Sequence, residues 1–112
     1  MQIITEALND QAVKVTLIGS MNASGTEAID LHFNAAVGAA NVVVVDFEKV
    51  DFLASMGIRT LVIAAKALKR KSGQMIILKP TPEVEQVLIG SGVDSLMEIT
   101  HDLNAALAQR TA

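Results

Sequence analysis

The 112 residues include no cysteine, no tryptophan and no tyrosine, with only three phenylalanines and two prolines. Without cysteine there is neither a disulfide framework nor a thiolate metal site. With aromatics at 3%, the chain lacks the flat side-chain faces on which nucleobases stack. Positive charge is scarce too. Nine Lys and Arg against twelve Asp and Glu leave a net charge of −3, so no basic field exists to hold a phosphate backbone, and nucleic acid is excluded as an expected partner. The opening Met1-Gln2-Ile3-Ile4-Thr5-Glu6 has no cationic segment of the kind that begins a signal peptide. No apolar run approaches the roughly 20 residues of a membrane span. A soluble, cytoplasmic protein is the expectation.

What is present is apolar and aliphatic. Hydrophobic residues make up 51% and charged residues 19%, enough for one packed domain over residues 1–112, with a core of Val, Ile, Leu, Ala and Met. The most informative stretch runs from Asn41 to Ala65. Val42 to Val45 form an unbroken β-branched run, the pattern of a strand buried on both faces in a parallel sheet. Asp46 is read as its end, followed by a short acidic loop with Glu48 and Asp51. A helical pattern opens after Leu53-Ala54-Ser55-Met56-Gly57, with Ile58, Leu61, Val62, Ala65 and Leu68 on one face. Ser55 thereby falls where a helix N-cap belongs.

The flanking segments set the order of elements. Met1 to Leu8 and Val13 to Leu17 read as strands around the Asn9-Asp10-Gln11 turn, an antiparallel hairpin toward a sheet edge, with the second strand ending at Gly19. A helix follows from about Ser24 to Val37, its apolar side drawn from Ala28, Ile29, Leu31, Phe33, Ala36 and Val37, with Gly38 as a stop. The helix after Ser55 closes at Lys71-Ser72-Gly73. Met75 to Leu78 read as another buried strand. Thr81 and Pro82 open a helix with Glu83 and Glu85 in its first turn and Val84, Val87, Leu88 and Ile89 as apolar positions. Leu96 to Thr100 read as a short strand and Leu103 to Gln109 as a last helix. The order β-β-α-β-α-β-α-β-α implies a mostly parallel sheet with covering helices.

Ser55 carries the sharpest chemistry, with three readings. As a cap it contributes ~1 kcal/mol. As a phosphorylation site it places a dianion against the free N–H groups and positive end of a helix, with Arg59 one turn along as a counter-charge. Such a phosphate leaves the fold intact and alters a contact surface built on Leu53 and Met56, both expected to be exposed. As a nucleophile, Ser55 precedes Asp94 and His101 in hydrolase order, but the first glycine of a G-x-S-x-G elbow is missing and the loop before it is long. His32 and His101 are too few for a metal site. Lys66, Lys69, Arg70 and Lys71 complement a helix C-terminus, no glycine-rich phosphate loop occurs, and Asn22-Ala23-Ser24 matches a glycosylation acceptor only in form.

The run VVVVDFEKVDFLASMGIRTLV, the Gly19-Ser20-Met21-Asn22-Ala23 turn, and the Met75–Leu78 strand followed by a helix ending at Gly92-Val93 together resemble the STAS-domain proteins, specifically the stand-alone bacterial anti-sigma factor antagonists. The resemblance spans essentially the whole chain. It implies an α/β STAS-like fold: a mixed four- to five-stranded sheet with about four helices packed mainly on one face. It implies a binding protein, not an enzyme, without cofactor or metal. A GHKL-type anti-sigma factor that is also a serine kinase binds the unphosphorylated antagonist and phosphorylates one serine; a PPM-type phosphatase resets it. By position in the motif that serine is Ser55, with Asp46, Leu53, Ala54, Met56, Gly57 and Arg59 as partner-binding residues. Ala54 stands where the family usually has aspartate, and Met56 where it has a small residue. The alternative implied by the same resemblance is a fixed STAS scaffold in a lipid-transport or stressosome-like assembly, with Ser55 only a cap. The oligomeric expectation is a monomer or weak dimer.

Overall fold

A computed structural model describes the backbone of residues 1–111 and the side chains of residues 1–107. Five strands lie side by side in chain order. They are β1 (Gln2–Ala7), β2 (Ala12–Met21), β3 (Val42–Leu53), β4 (Gln74–Leu78) and β5 (Glu98–Thr100). β1 pairs antiparallel with β2, and all later neighbours are parallel. The helices are α1 (Ala23–Ala39), α2 (Ser55–Arg70), α3 (Pro82–Gly90) and α4 (Leu103–Thr111), with one 3-10 turn at Val93–Ser95.

The aliphatic run does what an uninterrupted run must. Val43, Val44 and Val45 are fully buried, two toward one face and one toward the other. On one face Val15, Leu17, Val43, Val45, Phe47, Met75 and Ile77 pack against Ile29 and Phe33 of α1, Leu61, Ala65 and Leu68 of α2, and Val84 and Leu88 of α3. On the other, Val44, Ile76 and Leu78 are covered by Ala106 and Leu103 of α4. The mixed sheet with helices mainly on one face is therefore present, and α4 alone takes the second face.

Several boundaries differ from the sequence reading. The acidic segment after Asp46 is not a loop: β3 continues to Leu53, held by β2 alone once β4 ends opposite Asp46. Two register shifts, between Thr16 and Ile18 and between Gly19 and Ser20, each give β3 one extra residue. β2 likewise does not end at Gly19. It runs on to Met21 with Gly19 at φ +117°, a left-handed conformation that glycine adopts without penalty. The Gly19–Ala23 segment is thus strand to Met21, with Asn22 as the cap of α1, its Oδ1 accepting from Gly25 N at 2.7 Å. That bond uses the amide of the apparent glycosylation acceptor.

Gly38 does not stop α1, because Lys71 Nζ donates to the carbonyls of Val37 and Gly38 at 2.9 and 3.3 Å and satisfies the helix end. Ala28 and Leu31 are exposed, so α1 buries only Ile29, Phe33, Ala36 and Val37 of the apolar set. Thr81 does cap α3 over Pro82, with Val84 and Leu88 inward, but Val87 and Ile89 face solvent. β5 begins at Glu98 rather than Leu96.

Candidate functional site

Parallel strands deliver their carboxyl ends to one edge of the sheet, and β3 reaches furthest beyond it. The chain leaves β3 at Leu53 and enters α2 at Ser55 with a single residue between. That residue is fixed from both sides. Ala54 N donates to Met21 O at 3.0 Å, and Ala54 O accepts the first helical bond, from Ile58 N, at 3.1 Å.

This geometry corrects the cap assignment. The N-cap is Ala54, with extended φ −101° and ψ 174°, and it has no side-chain oxygen to offer. Ser55 is the first helical residue and is exposed. Its hydroxyl has no hydrogen-bond partner among the described residues. The amides of Ser55, Met56 and Gly57 precede the first intrahelical bond and carry the partial positive charge of the helix start. α2 has no acidic residue in its first turn, and Lys69 and Arg70 complete its far end.

Leu53 was expected at the surface and is not. It is 5% exposed and belongs to the main core, together with Met21. The two form the seat of α2: a Cβ added to Gly57 would come within 2.7 Å of Met21 Cγ and 2.8 Å of Leu53 Cδ1. Gly57 thus allows the first turn of α2 to lie close on the sheet, and this sets the height of Ser55 above it. The exposed apolar residue on the strand side is Phe52, at 53%, which the sequence reading did not single out. The signal for it was a large apolar side chain directly after Asp51, in a segment taken for a loop. Met56 is exposed at 47%, as expected. Met56 and Arg59, with Thr60 and Ile63 of α2 and Asp30 and Asn34 of α1, line a cleft of about 320 Å³ between the two helices.

Asp46 lies elsewhere. From Asp46 the strand runs seven residues further to Leu53 before the chain reaches Ser55, on the order of 23 Å of strand. Its carboxylate lies 3.6 Å from Lys14 Nζ and accepts from Glu48 N at 2.9 Å, so it holds the first irregularity of β3. Asp51 accepts a short hydrogen bond, 2.6 Å, from Ser20 Oγ and ties the end of β3 to β2. The structure therefore groups Ala54, Ser55, Met56, Gly57 and Arg59 at the start of α2, places Leu53 beneath them, leaves Phe52 exposed on the opposite side of the strand end from Leu53, and sets Asp46 apart.

The Ser…Asp…His order does not become a catalytic group. His101 Nε2 lies 2.8 Å from Glu85 Oε1, joining the end of β5 to α3, and Asp94 lies in the 3-10 turn. Among the described residues no group of three or more His, Asp or Glu is placed to hold a metal. His32 is exposed on α1. No helix among the described residues is long and apolar enough to cross a membrane.

The family model of the STAS domain matches residues 4–106, and the chain belongs to the STAS domain family. It is 28% identical over 93 residues, 82% of this chain and 80% of the relative, to BtrV of Bordetella bronchiseptica, which carries the name of an anti-sigma factor antagonist. Its fold is that of the anti-sigma factor antagonist SpoIIAA in its unphosphorylated form, with a TM-score of 0.81 at 23% identity over 99% of this chain and 98% of that one. SpoIIAA of Bacillus has also been solved phosphorylated, with a TM-score of 0.73 at 23% identity over 96% of this chain and 98% of that one. The STAS domain of a SulP transporter from Vibrio cholerae shares the fold at a TM-score of 0.68 and 17% identity, over 95% of this chain and 84% of that one.

Proposed function

We propose that this STAS domain is an anti-sigma factor antagonist switched by phosphorylation of Ser55. Unphosphorylated, it binds a GHKL-type anti-sigma factor that is also its serine kinase, and so frees a sigma factor. Phosphorylation ends the binding, and a PPM-type phosphatase restores it. The protein is itself no enzyme, needs no cofactor, and acts in the cytoplasm.

The observation that carries this reading is the exposed hydroxyl of Ser55, with no partner among the described residues, on the first residue of α2 beside exposed Met56, with exposed Phe52 three residues before it at the end of β3. A kinase can reach it without unfolding anything. A phosphate there meets helix amides and, one turn on, Arg59, so the fold tolerates it. A partner packed over Phe52 and Met56 does not tolerate it, because the dianion would have to lose its water inside the contact. We assign the contact to Phe52, Ala54, Met56, Gly57 and Arg59, with Leu53 supporting them from below and Asp46 acting at a distance by fixing the shape of β3.

The test is incubation with the cognate kinase and ATP, followed by peptide mapping by mass spectrometry. A single phosphate on Ser55 is the expected product; modification elsewhere overturns the assignment. Calorimetry against the kinase adds a second reading. Ser55→Ala is expected to bind as the native chain does, and Ser55→Glu at least about tenfold more weakly, a difference of ~1.4 kcal/mol. The likeness to a transporter STAS domain supports one rival, an unswitched scaffold, and equal affinity of the two variants would favour it.

A further inference from the structure

We infer that two copies of this chain pair through β1, edge to edge and antiparallel, to give a ten-stranded sheet. The inference does not depend on Ser55. β1 is the outer strand of the sheet, and all of its residues except Ile3 are exposed. Exposed edges are ordinarily blunted by lysine, proline, a bulge or a short length. β1 has none of these. It runs six residues, QIITEA, in unbroken register against β2. The opposite edge, β5, is three residues long and half-buried throughout.

The sequence of β1 is complementary to itself. Gln2, Ile4 and Glu6 face away from α1, α2 and α3, since Ile3, opposite the core residue Leu17, faces toward them and side chains alternate along the strand. With a twofold axis at Ile4, Ile4 meets its own copy, Gln2 meets Glu6 twice, and Ile3 meets Thr5 twice. No like charges oppose each other, and the amide of Gln2 can donate to the Glu6 carboxylate. Centring one pair further along would set Glu6 against Ile4, and centring earlier would shorten the ladder. The exposed Ile4, 55% accessible, is then covered by its twin. Such a self-matching contact is isologous and closes as a dimer.

A six-residue strand pair buries less than the roughly 1,200 Å² of a standard interface, so the dimer is concentration-dependent. In this arrangement five strand spacings, about 24 Å, separate the two copies of β3. They run in opposite directions, which leaves each Ser55 at its own end of the sheet.

Sedimentation equilibrium of the full chain from about 5 µM to about 1 mM reads the dimer directly. Ile4→Lys, which opposes two ammonium groups at the axis, is expected to leave only monomer. Gln2→Lys creates two ion pairs with Glu6 and is expected to tighten dimerisation about two- to tenfold, while Gln2→Glu loosens it by a similar factor. Both positions are exposed, so the three variants keep the fold. A native chain that stays monomeric to 1 mM, or a dimer indifferent to these three substitutions, overturns the inference.

Discussion

Ala54 occupies a cap position that its side chain cannot fill. Its backbone is extended and its carbonyl starts α2, yet nothing on its Cβ can accept from the amides that follow. Replacing it with Ser or Asp supplies that oxygen. Ala54→Ser or Ala54→Asp is expected to raise unfolding stability by ~1 kcal/mol, read as a higher urea midpoint at unchanged slope. The same position explains why Ser55 was misplaced by one residue in the sequence. Serine is a better cap than alanine, and the sequence holds no sign of the bond from Ala54 N to Met21 O that decides where the helix begins. Leu53 was expected outside, and Phe52 went unremarked, for a related reason. Which of two adjacent apolar residues turns inward depends on the register with β2, where Leu53 pairs with Met21 in the core and Phe52 with Ser20 outside it.

At the scale of elements, β3 was the hardest to read past Asp46. Beyond Val45 its buried residues are Phe47, Val50 and Leu53, a spacing of three. That spacing follows from the two extra residues in the strand, and it fits neither the alternation of a strand nor a helix face. The runs Val42–Val45 and Met75–Leu78, by contrast, were legible, because a sheet covered on both sides demands continuous apolar character there. The consequence of the hidden half of β3 is an exposed aromatic at its tip. Phe52→Ser is expected to leave the thermal midpoint within about 2 °C, since a residue half in water contributes little to the core. Its affinity for the kinase should fall about tenfold or more, as aromatic anchors dominate such contacts. Calorimetry beside a melting curve separates the two effects.

For the molecule as a whole, the alternation of strands and helices was enough to give the order of elements and a mostly parallel sheet. The side of the sheet taken by each helix was not legible. α4 carries only a thin apolar stripe, with Leu103 half-buried and Ala106 3% exposed, yet together with Leu8 it shields Val44, Ile76 and Leu78 from water. Ala106→Asp would set a carboxylate against that layer. A loss of about 3 kcal/mol is expected from denaturant unfolding, with the site around Ser55, which belongs to the opposite layer of helices, keeping its kinase affinity in whatever fraction remains folded.

The tether between β3 and α2 has a mechanical side. Ser55 hangs on one linking residue that is pinned to Met21 behind and to the helix ahead, so in the proposed switch a kinase would meet a hydroxyl already in place and lose little entropy in ordering it. A switch built on so stiff a mount has no hinge to swing. In the proposed switch, whatever a phosphate changed would be done by its own charge and hydration, with the two forms of the domain expected to keep the same backbone.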